Sequence, residues 1–172
     1  NIGSEAHSNV LIGHKSGNAM VGGRENVAIG TNALDADQYG EYSIAIGSNA
    51  LGAQNDSSNS ADDGMGNIGI GRGAGAVNVT GTLNTYVGHQ AGYGSAGGSN
   101  SNNTGIGANA MLDVTTGNEN VAIGSHAMYN YTTGYDTVAI GREAIGLGVY
   151  TGSDNTVVGK GAGYDLTSAT NN

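Results

Sequence analysis

A glycine that closes a short apolar run recurs nine times along this chain, at Gly13, Gly30, Gly47, Gly71, Gly88, Gly107, Gly124, Gly141 and Gly159. The successive gaps are 17, 17, 24, 17, 19, 17, 17 and 18 residues. The fullest unit is Asn120-Val121-Ala122-Ile123-Gly124-Ser125-His126-Ala127-Met128, repeated as Val27-Ala28-Ile29-Gly30, Ile44-Ala45-Ile46-Gly47 and Val138-Ala139-Ile140-Gly141. A near-constant period means that one small supersecondary unit is stacked many times, so the fold question becomes what 17 residues do.

Within a unit the apolar residues alternate. Val121 and Ile123 share one face of a strand while Ala122 and Gly124 take the other. Both faces are apolar or small, so the strand is expected to be buried on both sides. Three residues after the marker glycine stands an alanine, followed by an apolar residue in Ala33-Leu34, Ala50-Leu51, Ala110-Met111, Ala127-Met128 and Ala144-Ile145, and by glycine in Ala74-Gly75, Ala91-Gly92 and Ala162-Gly163. A weaker apolar patch half a unit on (Met20-Val21, Val77, Val79, Val114, Tyr131, Leu147, Val149) and Gly22, midway between two markers, predict a second strand per unit. The fold class is therefore all-β, a parallel β-roll or β-solenoid of about nine 17–19-residue coils. At about 4.8 Å per layer these make a rod on the order of 45 Å long.

Asparagine enters most strands, at Asn9, Asn26, Asn67, Asn84, Asn120 and Asn155, with Asn103 close by and Tyr42 and Asp136 as departures. It tolerates tight turns and can bond its own copy one layer up, which marks a corner of the coil. Two stretches break the rhythm. Residues 52–64 carry the extra length of the 24-residue gap, and 94–102, rich in Gly, Ser and Asn, reads as a flexible loop. Insertions in repeat proteins map to loops on one face and are often where binding happens, although a solvated loop without a role is as good a reading.

Composition narrows the alternatives. With 33 glycines, no Phe, Trp or Pro and 37% hydrophobic residues, any core must be thin and repetitive. Several glycines per unit, each costing roughly 1 kcal/mol against alanine, argue against helices. Glycine without a G-X-Y period excludes collagen. There is no cysteine for disulfide or thiolate chemistry, and a formal charge of −9 argues against nucleic acid. No run of about 20 apolar residues could insert in a bilayer. The opening Asn1-Ile2-Gly3, without initiator methionine or signal peptide, suggests a piece of something longer, with residues 1–172 forming one repeat domain.

All five basic residues (Lys15, Arg24, Arg72, Arg142, Lys160) follow a marker or half-marker glycine, while most acidic residues fall in the spacers, so opposite charges are expected on different edges. A thin coil cannot hide two apolar faces, and the simplest cover for the outer one is another copy of the chain.

Asn-Val-Ala-Ile-Gly followed by x-x-Ala-Leu, as in residues 26–34 and 120–128, resembles the head repeats of trimeric autotransporter adhesins. The spacers Val114-Thr115-Thr116-Gly117-Asn118-Glu119-Asn120 and Tyr129-Asn130-Tyr131-Thr132-Thr133-Gly134 resemble repeats of phage tail fibres even more closely. The resemblance covers almost the whole chain. It implies a left-handed β-roll wound into a homotrimeric fibre, exposed on a virion or, in the alternative, on a bacterial surface. The longer unit and the 52–64 insertion depart from the adhesin heads and favour the fibre reading.

Sites for chemistry are scarce. Gly69-Ile70-Gly71-Arg72-Gly73-Ala74 and Gly105-Ile106-Gly107-Ala108-Asn109-Ala110 match a loose GxGxxA fingerprint, but that motif needs a strand leading into a helix. The four histidines lack metal spacing. Asp56, Asp62 and Asp63 could gather round a calcium ion, though EF-hand order is absent. No cofactor or metal is expected, and no catalysis. A polysaccharide-degrading tailspike is the enzymatic alternative, needing a pair of carboxylates that no spacing identifies. Tyrosine, with nine copies, is the only aromatic. Tyr129, Tyr131 and Tyr135, with Tyr93, could stack on sugars of a host-surface glycan, and with Asp56, Asp62 and Asp63 form the candidate contact set. The plainer reading is that tyrosines pack within or between coils. The expected function is thus a structural and adhesive module that recognises a host glycan or protein.

Overall fold

The structure, a computed structural model, describes residues 6–57, 65–95, 97–146 and 149–171. Each unit contributes one three-residue strand, and the nine run from β1 (Val10–Ile12) through β2 (Val27–Ile29), β3 (Ile44–Ile46), β4 (Ile68–Ile70), β5 (Thr85–Val87), β6 (Thr104–Ile106), β7 (Val121–Ile123) and β8 (Val138–Ile140) to β9 (Thr156–Val158). They form a single parallel sheet in sequence order. Pairing is in register throughout, so that Val121 lies between Thr104 and Val138 and Ala122 between Gly105 and Ala139. This is the β-solenoid that the period predicts, and no helix occurs among the described residues. The 24-residue gap leaves the register intact, with Ile44 on Ile68 and Ile46 on Ile70.

Among the described residues the predicted second strand does not form, and the far side of the coil carries isolated parallel bridges, among them Arg24 with Glu41, Asn118 with Tyr135 and Tyr131 with Tyr150; Leu147 of the predicted patch lies outside the described residues. Extended backbone is interrupted too often for more. Around β7, Glu119, His126 and Met128 have φ of 61°, 59° and 51°, and Gly124 has 129°. Layers nevertheless stay bonded around these turns: Gly124 N–H donates down to Ile106 O, His126 N–H down to Ala108 O, and Met128 N–H up to Ala144 O.

The marker glycine is dictated by this stacking. A Cβ on Gly124 would lie 2.7 Å from the carbonyl of Gly141 in the next coil, and its φ of +129° is closed to other residues. The asparagine column sits one coil corner earlier. Asn103 Oδ1 accepts the N–H of Asn120 at 3.0 Å, and Asn120 Oδ1 accepts that of Thr137 at 3.0 Å. Each Nδ2 reaches across the coil to a carbonyl 14 residues on, Asn103 to Gly117 and Asn120 to Gly134. The departures are corrected accordingly. In the third and eighth coils the column is occupied by Ser43 and Thr137, whereas Tyr42 and Asp136 sit one residue earlier, in the left-handed region. Ser43 Oγ still accepts the N–H of Asn67 in the next coil at 3.3 Å, whereas Thr137 Oγ1 donates to Tyr135 O in its own coil at 3.2 Å.

Inside the coil, two positions share one small space: the middle residue of the strand and the fourth residue after the marker. Where the first is small the second is large, as in Ala28 with Leu34, Ala45 with Leu51, Gly105 with Met111, Ala122 with Met128 and Ala139 with Ile145, all buried among the alkyl members. Where the first is large the second is glycine. A Cβ on Gly17 would lie 2.9 Å from the Leu11 side chain, and one on Gly92 would overlap the Tyr86 ring. The fourth coil has Gly69 and Gly75 together, because Leu51 from below and Tyr86 from above fill it: a Cβ on Gly75 would lie 2.6 Å from Leu51 and 3.2 Å from Tyr86. The glycine followers of the sequence are therefore space for a neighbour.

This compensation is testable. Gly105 lies against Tyr86, with its missing Cβ 2.9 Å from the ring. Gly105→Ala should cost about 1–3 kcal/mol by overpacking, and Tyr86→Ala about 3–5 kcal/mol by leaving a cavity. In the double variant the added methyl enters space that the ring has left, so urea melts should show a loss smaller than the sum of the two.

Candidate interaction surfaces

The coil sorts its side chains into columns, and each column is a candidate surface. The outward face of the sheet is formed by the first and third residue of every strand. Ile46, Ile70, Ile106, Ile123 and Ile140 keep 37–39% of their surface, and Val10, Ile12 and Val158 at the ends keep more. The inner residue of each strand from β2 to β9 is buried by the coil itself. Burial on both faces is therefore not achieved within one chain. What remains is an apolar strip nine strands high, interrupted only by Thr85, Thr104 and Thr156. At about 4.8 Å per layer and about 10 Å of width it covers roughly 400 Å², as large as the largest patch on a typical monomer.

The tyrosines divide. Tyr131 is fully buried and stacks on Tyr150 at 5.4 Å, its hydroxyl donating to Asn120 Oδ1 at 2.7 Å. It offers no ring to a ligand, which removes it from the candidate contact set, because the coil has used it as core. Tyr86 is also interior and donates to Asn100 Oδ1 at 2.5 Å. Burial pushes both hydroxyls upward, so they remain neutral donors. Tyr129 is half-buried and stacks on His126 at 5.1 Å. Tyr135, at 54% exposure, and Tyr93, at 36%, present rings to solvent. The dense cluster of the sequence is thus one core residue and two outward ones.

Of the acidic candidates, Asp62 and Asp63 lie outside the described residues, and Asp56 is half-buried with its N–H on Asp37 Oδ1 at 3.1 Å. No group of three or more His, Cys, Asp or Glu suited to a metal occurs among the described residues. The stretch 94–102 is tied to the next coil by Gly94 N–H on Leu112 O and Ser99 N–H on Thr115 O, and Asn100 is buried. Charge segregation is incomplete: Arg24 and Glu41 stand in one column and pair at 2.5 Å, and Arg142 pairs with Glu143 at 2.7 Å. Stacking places residues one period apart together whether they belong to marker or spacer.

Sequence reasoning missed a buried carboxylate and a cavity. Asp37 is fully buried where the asparagine column is broken by Ser43. It accepts the N–H of Gly40 and of Asp56 and the Gln54 amide at 2.7 Å, while Gln54 also donates to Ser43 Oγ and accepts from Asn67 Nδ2. This network carries the cross-coil bonding that serine is too short to supply. The cavity, about 300 Å³, lies on the turn side of β2 to β5 and is lined by Asp35, Asn49, Arg72, Gln90 and Tyr93 among others. Its only signal in the sequence is Gly52 and Ala76 in a column that holds Asp35 and Tyr93 in adjacent coils.

Comparison of the chain with protein-family models, with curated proteins and with solved structures finds no match. Among the described residues no helix is long and apolar enough to cross a membrane.

Loss of hydration raises the pKa of Asp37 above that of an ordinary aspartate, against the lowering effect of its hydrogen bonds. A carboxyl shifted upward on folding contributes stability that is present below the unfolded value near 3.9 and lost as pH rises through the folded one. Urea melts should therefore show the advantage of the native chain over Asp37→Asn greatest at acid pH and shrinking toward pH 7. An advantage that grows with pH would mean that the network favours the charge.

Proposed function

We propose that this chain is a structural and adhesive module of a homotrimeric fibre, without catalysis, exposed on a virion or cell surface. The observation that supports it most is the outward Val/Ile strip. Among the described residues the coil seals its own interior and leaves that strip uncovered, and the third residue of the strand is Ile or Val in all nine layers. A second copy presenting the same column in the same vertical register is the natural complement, since strip length and layer spacing then match by construction. The tail-fibre and adhesin-like repeats give the number three. In such a rod the layered bonds supply stiffness, and three copies of each weak surface contact raise avidity without a strong single site. The outward tyrosines are suited to contact with a host glycan. A tailspike hydrolase is the second reading, and release of reducing ends from a host polysaccharide would favour it.

Sedimentation equilibrium should give three times the 17.0 kDa chain mass. Ile106→Asp with Ile123→Asp places two carboxylates in the strip without touching the coil interior. This pair should reduce the particle to single chains that keep their β circular dichroism. A native particle of one chain, or a double variant of undiminished mass, would contradict the assignment of the strip.

A further inference from the structure

The cavity on the turn side of the coil is walled and floored by successive layers of one column. Asp35 stands in the second coil, Gly52 and Ala76 in the third and fourth, and Tyr93 in the fifth. Two rungs with almost no side chain between two rungs with large ones leave a depression whose walls are three layers, about 14 Å, apart at Cα. The Tyr93 ring is held in place from beneath. A Cβ on Gly73 would lie 3.3–3.4 Å from two of its ring carbons, so the glycine lets the ring settle on backbone. Its φ of +67° suits glycine as well.

Along one side runs a column of amides. Asn32 Nδ2 donates to Asn49 Oδ1 at 3.1 Å, which leaves Asn49 Nδ2 as a donor and Asn32 Oδ1 as an acceptor. The Gln90 amide and the Asp35 carboxylate have no side-chain partner among the described residues. Arg72 spends one nitrogen on His89 Nε2 at 3.3 Å and has further N–H groups to offer. The lining thus combines donors, acceptors, one cation, one anion and one ring within about 300 Å³.

We infer that this depression is a subsite for one neutral pyranose unit of a glycan. Adjacent sugar hydroxyls are each donor and acceptor, which matches amides, carboxylate and guanidinium arranged together. The C–H face of a pyranose matches an aromatic ring. A phosphorylated or sulfated ligand is poorly served by a single arginine beside a carboxylate on a chain of charge −9. An apolar ligand would strip water from five polar side chains and give nothing back. No residue of the strand face lines the cavity, so covering the Val/Ile strip and filling this site are separate events. The inference rests on the adhesive reading only for why a weak site suffices, namely its repetition in the assembled fibre.

Saturation-transfer NMR on the native particle, with methyl glucoside, methyl galactoside, N-acetylglucosamine and N-acetylgalactosamine as probes at millimolar concentration, tests it. At least one probe should bind, with affinity reduced about tenfold or more in Tyr93→Ala, as removal of a stacking ring implies. Gln90→Ala should weaken it as well, while Leu83→Ala, exposed and outside the cavity, leaves it unchanged. Unaltered mass and circular dichroism show that the variants are folded. Binding that survives both Tyr93→Ala and Gln90→Ala overturns the subsite and leaves glycan adhesion elsewhere on the rod. Silence from all four probes also overturns it, and an oligosaccharide array probed with the same particle then decides separately whether the chain is adhesive at all.

Discussion

Vertical register is the constraint on which the rest depends. Each backbone layer is bonded to the ones below and above, on the strand side as a ladder and around the turns as single bonds. Because layers are about 4.8 Å apart, a residue's nearest neighbours are its own counterparts one period away. Position in the unit therefore determines which chemistry is possible. Against the next layer's carbonyl only glycine fits, and at the buried corner an oxygen must accept the next layer's amide. Thus Gly124 and Asn120 are structural necessities of the same stack.

The interior follows from the same constraint. A coil this thin has no central core, and its volume is divided between two residues and their neighbours in adjacent layers. Leu34, Met111 and Ile145 are held at φ of 49°, 53° and 52°, a region costing such residues roughly 1–2 kcal/mol. Complete burial of each of these side chains, about 1.5–3 kcal/mol, offsets that cost. When Tyr86 fills the space instead, Gly92 takes the left-handed position without cost.

Much of this is legible in the sequence, because a repeat displays its own alignment. The strand positions and the marker glycine can each be read nine times over, and the asparagine corner seven times. What is not legible is whatever depends on which side of a column a residue faces. Val121 and Ala122 are equally apolar in sequence, yet only the alanine is enclosed. Tyr131 and Tyr135 look alike four residues apart, but one replaces an asparagine partner in the interior and the other faces water. The half-unit apolar patch suggests a strand because Met20, Val114 and Tyr131 are indeed buried. They are buried as single plugs and not as alternate residues of a ladder, a distinction that period alone does not make. The cavity is hidden for the opposite reason, since it is built from side chains that are missing.

The columns also differ in character: amides and carbonyls stack the coils, one outward apolar strip stays exposed, and the turn side varies from layer to layer. The claim beneath all of it is that residues one period apart are in contact even across the longest spacer. The native chain has no cysteine, so introduced pairs report this directly. Ile46 and Ile70 are 24 residues apart in sequence but adjacent in register, at a spacing within the Cα range of a disulfide. Ile46 and Val87 are two layers, about 9.6 Å, apart and beyond that range. Under mild oxidation the 46/70 cysteine pair should close an intrachain disulfide with unchanged circular dichroism while the 46/87 pair stays reduced. Equal closure of both pairs, or closure of 46/87 alone, would contradict the stacked coil.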